Sequence, residues 1–247
     1  MVPILQKSLP YDVRVKRPLP AIQPLRRPDW LQIDDVYDQQ IAEREWLLKG
    51  QKSEVLEMSE GARPAAEELL DEVLEDLSQR DDFTVTRQFV WRPDGVCVEI
   101  DRGDPLRVLG QLVQEDLCLL EKIGDEHVLT GAVLCFPASW TLAEKFMRPL
   151  VAIHEPVDSY DDNIAKRVQR LFDGVKPERP LWRYNMLRYV DPTLHQPRPE
   201  VAPRAHLDGQ DSRYIRSERQ CILRLPKTDA VVFSIHTYVL KYSDVHL

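Results

Sequence analysis

No apolar run in the 247 residues approaches the roughly 18 positions that a membrane-crossing helix needs, so no transmembrane helix is predicted. Close cysteine pairs are also missing. Cys97, Cys118, Cys135 and Cys221 form no Cys-x-x-Cys and no Cys/His pair of ligand spacing, which excludes the usual zinc and iron–sulfur arrangements and leaves buried free thiols as the expectation. The sequence contains no GxSxG, GxxxxGK[ST], HExxH or GxGxxG. The common hydrolase, P-loop, zincin and dinucleotide-binding routes are therefore set aside. An excess of positive charge is lacking too. Lys and Arg number 33 against 41 Asp and Glu, a net charge of −8, which argues against a general nucleic-acid binder although Arg213 to Arg224 holds a local basic cluster. The opening residues, MVPILQKSLPYDVRVKRPLP, have no continuous apolar segment before a small-residue cleavage site, so a soluble, cytoplasmic protein is expected.

Proline is abundant at the start. Pro3, Pro10, Pro18, Pro20, Pro24 and Pro28 remove backbone donors and disfavour helix before them, which predicts an extended arm over residues 1–30 and a single domain over 31–247. Helical patterning begins near Asp34 and closes at Gly50. From Ala65 to Arg80, Leu69, Leu70, Val73, Leu74 and Leu77 recur at helical spacing. Phe83 to Trp91 and Val96 to Ile100 alternate as strands. Asp104–Pro105 reads as a helix start, with the helix expected to run to about Lys122. His127 to Phe136 reads as a buried strand, Thr141 with Glu144 as a capping box, Asp162 to Phe172 as a helix, and Ala230 to Val239 as the last strand. Val190 to Pro203, with four prolines, reads as a loop. The pattern is α+β around one mixed sheet.

Two blocks carry candidate chemistry. FPASWTLAEKFMRPLVAIHEPV, Phe136 to Val157, ends in His154, framed by Ile153 and Val157 and stiffened by Pro156. One neutral imidazole is enough to hold a haem iron, because the porphyrin supplies the other four nitrogens. A histidine between apolar residues also reads as an ordinary core residue. The second block includes Arg216, Ser217, Glu218, Arg219 and Gln220. If it is extended, Arg216, Glu218 and Gln220 share one face, and Ser217, Arg219 and Cys221 share the other. An Arg–Glu pair serves structure as readily as catalysis; in the functional reading an arginine faces bound oxygen and Glu218 holds a cationic amine. In LWRYNMLRY, Arg183 or Arg188 reads as a propionate partner and Asn185 as a substrate contact, against a plain strand with snorkelling arginines. His206 lies beside the long loop and could gate access, whereas His236 reads as packing.

Together the blocks FPASW, Glu144–Lys145, Ile153–Val157, Arg183–Asn185, Arg216–Gln220, LRLPKT at Leu223–Thr228 and VVFSIHTY at Val231–Tyr238 resemble the haem-dependent oxidative N-demethylase family, from roughly Leu31 to the end. The resemblance implies an α+β, PAS-like antiparallel sheet with flanking helices and haem b bound through His154. It implies oxygen-dependent removal of a methyl group from a small, dimethylamine-like secondary amine with release of formaldehyde. Electrons would come from NADPH through a partner reductase carrying flavin and an iron–sulfur cluster. On that reading Glu218, Arg219 and Arg216 are catalytic; Arg183, Arg188 and Lys145 surround the cofactor; Asn185, Gln220 and Tyr238 meet substrate. A homo-oligomer is compatible with it. Competing readings are a haem-binding sensor and a relative that has lost haem and acts as an interaction protein.

Overall fold

The structure, a computed structural model, describes residues 2–15, 20–154, 162–202 and 212–245, with the backbone alone for 154 and 162–166. In chain order, β1 (Gln23–Pro24) precedes α1 (Tyr37–Gly50), α2 (Lys52–Val55), β2 (Leu56–Met58) and α3 (Arg63–Ser78). Three short strands follow, β3 (Thr84–Val85), β4 (Phe89–Trp91) and β5 (Cys97–Glu99), then α4 (Pro105–Leu112), β6 (Asp116–Ile123) and β7 (Glu126–Val133). Helices α5 (Leu142–Lys145), α6 (Leu150–His154) and α7 (Asp162–Gly174) lead to β8 (Leu181–Tyr189), β9 (Tyr214–Arg224) and β10 (Val231–Lys241).

One seven-stranded sheet runs in the order β1-β8-β9-β10-β6-β7-β2, and β3-β4-β5 form a small second sheet. Every named strand pair is antiparallel, where a mixed sheet was expected. The fold is thus mixed α and β, with a large antiparallel sheet and several helices. Among the described residues no helix is long and apolar enough to cross a membrane.

Side-chain alternation gives the large sheet two differently covered faces. Cys221, Leu223 and Val232 join a cluster with Leu69, Leu70, Val73, Leu77, Leu106 and Leu109 of α3 and α4. Ile222 and Val231 join a second cluster with Leu142, Leu150 and Phe172 of α5, α6 and α7. Each such Leu or Phe contributes roughly 1.5–3 kcal/mol on burial. Gly110 lets α4 press close: a Cβ there would meet Val133 Cγ2 at 2.8 Å and Leu48 Cδ1 at 2.9 Å.

Two elements depart from the sequence reading. The helix after Pro105 ends at Leu112, Val113 turns extended, and Asp116–Ile123 is a strand. Leu117 to Leu120 pair with β10 on one side and β7 on the other. A strand buried on both faces shows a continuous apolar run, which periodicity cannot distinguish from helix. Phe83–Trp91 is a hairpin, not one strand. The Thr86 hydroxyl accepts from the Phe89 and Gln88 amides and reverses the chain. Cys118, Cys135 and Cys221 are buried free thiols, and Cys97 is free but exposed.

Candidate functional site

In the β8–β9 register Asn185 faces Glu218, Arg183 faces Gln220 and Tyr184 faces Arg219. Opposed residues in an antiparallel ladder share a face. Arg183, Asn185, Glu218, Gln220 and Arg216 therefore share the face of Leu181 and Ile222, on which α5, α6 and α7 pack. Ile153 of α6 packs on that same cluster and α6 rests on β7 and α7, so the helix that ends at His154 lies on the same side of the sheet as the polar residues. The His154 side chain, Glu155–Val157 and His206 fall outside the described residues.

Glu218 is the centre of the group. Its Oε2 accepts from Asn185 Nδ2 and from Gln220 Nε2, both at 3.0 Å, while its amide donates to Asn185 Oδ1 at 3.1 Å. Its Oε1 lies 3.8 Å from Arg216 Nε. Arg216 is buried; Nη1 donates to Leu194 O at 2.9 Å and Nη2 to Phe136 O at 2.6 Å. It staples two loops at one end of the site and turns Nε toward Glu218. Arg183 Nε, like Arg216 Nε, is buried with no hydrogen-bond partner among the described residues, and Arg183 has no carboxylate within ion-pair distance among them. Burial pushes its guanidinium below the ordinary arginine value, partly offset by the Glu218 carboxylate.

The remaining candidates do not join this group. Arg219 faces the opposite side, donating through Nη1 to Trp30 O at 2.9 Å and through Nη2 to Asp29 O at 2.6 Å. Its guanidinium lies 5.2 Å from the centre of the Trp182 ring. The expected grouping of Arg219 with Glu218 is thus undone by strand alternation. Tyr238 is likewise on the opposite face and buried, its ring 4.5 Å from His236 and 6.0 Å from Tyr11. Arg188 also alternates to that face and stacks on Tyr242 at 3.6 Å. Lys145 is buried, its Nζ donating to Ile153 O at 2.8 Å and to Glu200 Oε1 at 2.5 Å.

His236, read as packing, is an ionic residue. Nδ1 lies 3.0 Å from Glu115 Oε1 and Nε2 3.1 Å from Asp34 Oδ2. Burial alone would lower its pKa, but the two carboxylates hold it up at about 9. Sequence reasoning missed Glu200, which bridges Lys145 and Arg148 and whose amide donates to Glu144 Oε1. It sits in a proline-rich loop with no periodicity to reveal its direction.

Among the described residues no group of three or more His, Cys, Asp or Glu could hold a metal ion. Haem asks the protein for an axial ligand and a pocket, not a ligand cluster. The side of the sheet that carries α6 suits that demand. Ile22, Trp140, Ile153, Leu181 and Phe233 are only partly buried there, and the unpartnered Arg183 Nε matches a carboxylate such as a haem propionate. The residues present therefore fit the group. Residues 21–246 match the family model for the haem-dependent oxidative N-demethylase, alpha subunit-like.

Proposed function

The chain belongs to this haem-dependent oxidative N-demethylase, alpha subunit-like family, and from that premise we propose that it demethylates a small secondary amine of the dimethylamine kind. His154 holds haem b from α6, and Arg183 meets a propionate. The haem, when bound, supplies the oxidising chemistry on dioxygen. The amine loses an N-methyl group as formaldehyde. One oxygen atom enters the aldehyde and the other leaves as water, with two electrons coming from NADPH through a partner reductase with flavin and an iron–sulfur cluster.

The observation that carries the amine side is the Glu218 carboxylate on the side of the sheet that also carries α6. Asn185 and Gln220 both occupy Oε2. Oε1 is left to receive a substrate N–H, with Arg216 Nε 3.8 Å away as its one ion pair among the described residues and Arg183 acting on it from farther off. A carboxylate so placed binds an ammonium and holds its N-methyl group in one orientation. Asn185 and Gln220 hold the carboxylate in orientation. Arg216 keeps the Phe136 and Leu194 loops closed at the end of the site and excludes water there.

Five antiparallel strands, β7-β6-β10-β9-β8, with α5 to α7 inserted between β7 and β8 over one face, support the PAS-like reading of residues 31–247. Contacts from Gln6 to Val239 and from Tyr11 to Ser217 support residues 1–30 as an arm laid along that domain. The protein acts in the cytoplasm, where NADPH is at hand.

The test is spectroscopic and then catalytic. Protein reconstituted with haem b shows a Soret band that changes in His154→Ala, and it releases formaldehyde from dimethylamine under oxygen with reductant. A His154→Ala spectrum identical to wild type, or no formaldehyde from the loaded protein, overturns the reading.

A further inference from the structure

Lys145 is a buried ammonium, with a relative exposure of 4%, and a lysine is held there only by full pairing. One of its two partners is not a side chain. Nζ donates to Ile153 O at 2.8 Å, and that carbonyl belongs to the peptide unit joining Ile153 to His154. The peptide is planar, so the position of Ile153 O fixes the plane containing the His154 nitrogen and Cα. The second partner, Glu200 Oε1 at 2.5 Å, is also 3.2 Å from Arg148 Nη1. The Glu200 amide in turn donates to Glu144 Oε1 at 3.0 Å, and Glu144 Oε2 accepts from Thr141. Helix α5, the end of α6 and the loop around Glu200 are thereby locked into one network. Its base is fixed to the sheet, because Met147 N donates to Leu129 O and Leu129 N to Arg148 O.

We propose that Lys145 and Glu200 form a latch that sets the backbone of the haem-ligating residue, making both of them positioning residues for the axial ligand. The latch rests on the reading of His154 as that ligand. Its logic is that of groups behind a metal site, which orient the ligand and whose loss costs roughly tenfold to a hundredfold in affinity. Removing the ammonium frees the 153–154 peptide to rotate. Removing the Glu200 charge leaves Lys145 buried with one partner and releases the loop from both basic side chains.

The experiment uses the full chain loaded with haem b and reads two quantities, the rate of haem transfer to excess apomyoglobin and the iron–histidine stretching band of the ferrous form. Lys145→Met and Glu200→Gln are expected to raise the transfer rate about tenfold or more and to shift the band, and Lys145→Arg to restore most of both. Wild-type rates and an unshifted band in both variants overturn the latch. So does faster loss with an unshifted band, which marks a general loss of stability. Glu200→Gln, at a partly exposed loop position, keeps the test open should Lys145→Met fail to fold. His154→Ala separates the premise from the proposal: if it leaves the spectrum of the loaded protein unchanged, the ligand reading fails whatever the latch variants do.

Discussion

Asn185 and Glu218 grip each other at two points across the β8–β9 ladder: the Asn185 amide nitrogen donates to the carboxylate at 3.0 Å, and the Asn185 oxygen accepts from the Glu218 main chain at 3.1 Å. The side chain of one strand therefore orients both the backbone and the charge of the other. Charge-assisted bonds of this kind are worth about 1.5–3 kcal/mol.

Glu218→Gln removes the charge and keeps the shape. If Oε1 receives the ammonium, KM for dimethylamine rises about 10- to 100-fold with little change in kcat or haem content. Asn185→Ala is expected to show a smaller rise in KM together with a lower kcat, because it misaligns the carboxylate without removing it. Equal kinetics for wild type and Glu218→Gln would exclude Glu218 from the amine site.

Arg183 makes a prediction with opposite signs in two assays. Its buried Nε lacks a partner among the described residues, and an unmatched buried donor costs roughly 1–3 kcal/mol. Arg183→Met should stabilise the haem-free protein by about 1 kcal/mol in urea denaturation and speed haem loss about tenfold. A variant destabilised without haem would show that Arg183 serves the fold.

How far the sequence reveals this site depends on what periodicity encodes. Alternation over Arg216–Gln220 correctly divides Arg216, Glu218 and Gln220 from Ser217 and Arg219, because a strand has one geometry. It cannot say which face carries α6; that follows from Ile222 and Leu181 sharing one apolar cluster with Leu150, a grouping of residues far apart in sequence. The same limit explains β6, whose Leu117–Leu120 run is apolar because both faces are covered. Lys145 and Glu200 lie 55 residues apart, and no local pattern announces that they meet.

Arg44 and Asp116 form an ion pair at 2.6 Å, with side-chain exposures of 0% and 1%. Asp116 also accepts from the Cys135 and Phe136 amides, which anchors the start of the loop that Arg216 staples at Phe136. Removing one partner leaves a buried charge, at a cost of about 3–5 kcal/mol. Arg44→Met is expected to lower the denaturation midpoint accordingly. A loss under 1 kcal/mol would mean that the two backbone amides alone suffice for Asp116.

The His236 cluster predicts how stability varies with pH. Its ring sits between Asp34 and Glu115, with the Tyr238 ring beside it, and Gln6 and Gln114 complete the bonding of Asp34. The folded pKa of about 9 lies above the unfolded value of roughly 6.5. A raised pKa means that the folded state binds the proton more tightly, so the contribution is complete below about pH 6.5 and is lost as pH rises through about 9. Asp34 has the opposite sign: burial would raise it, but the bond to His236 holds it at about 2, so its contribution is complete above about pH 4 and fades as pH falls through about 2. Both report one interaction and are not added. Haem-free protein is expected to lose at most about 3 kcal/mol between pH 6.5 and 9.5, a slope read by urea titration at a series of pH values. His236→Gln should be less stable at pH 6 and nearly flat over that window. A wild-type curve that is flat from pH 6.5 to 9.5 would mean that the imidazole stays neutral and that one of the two carboxylates carries the proton instead.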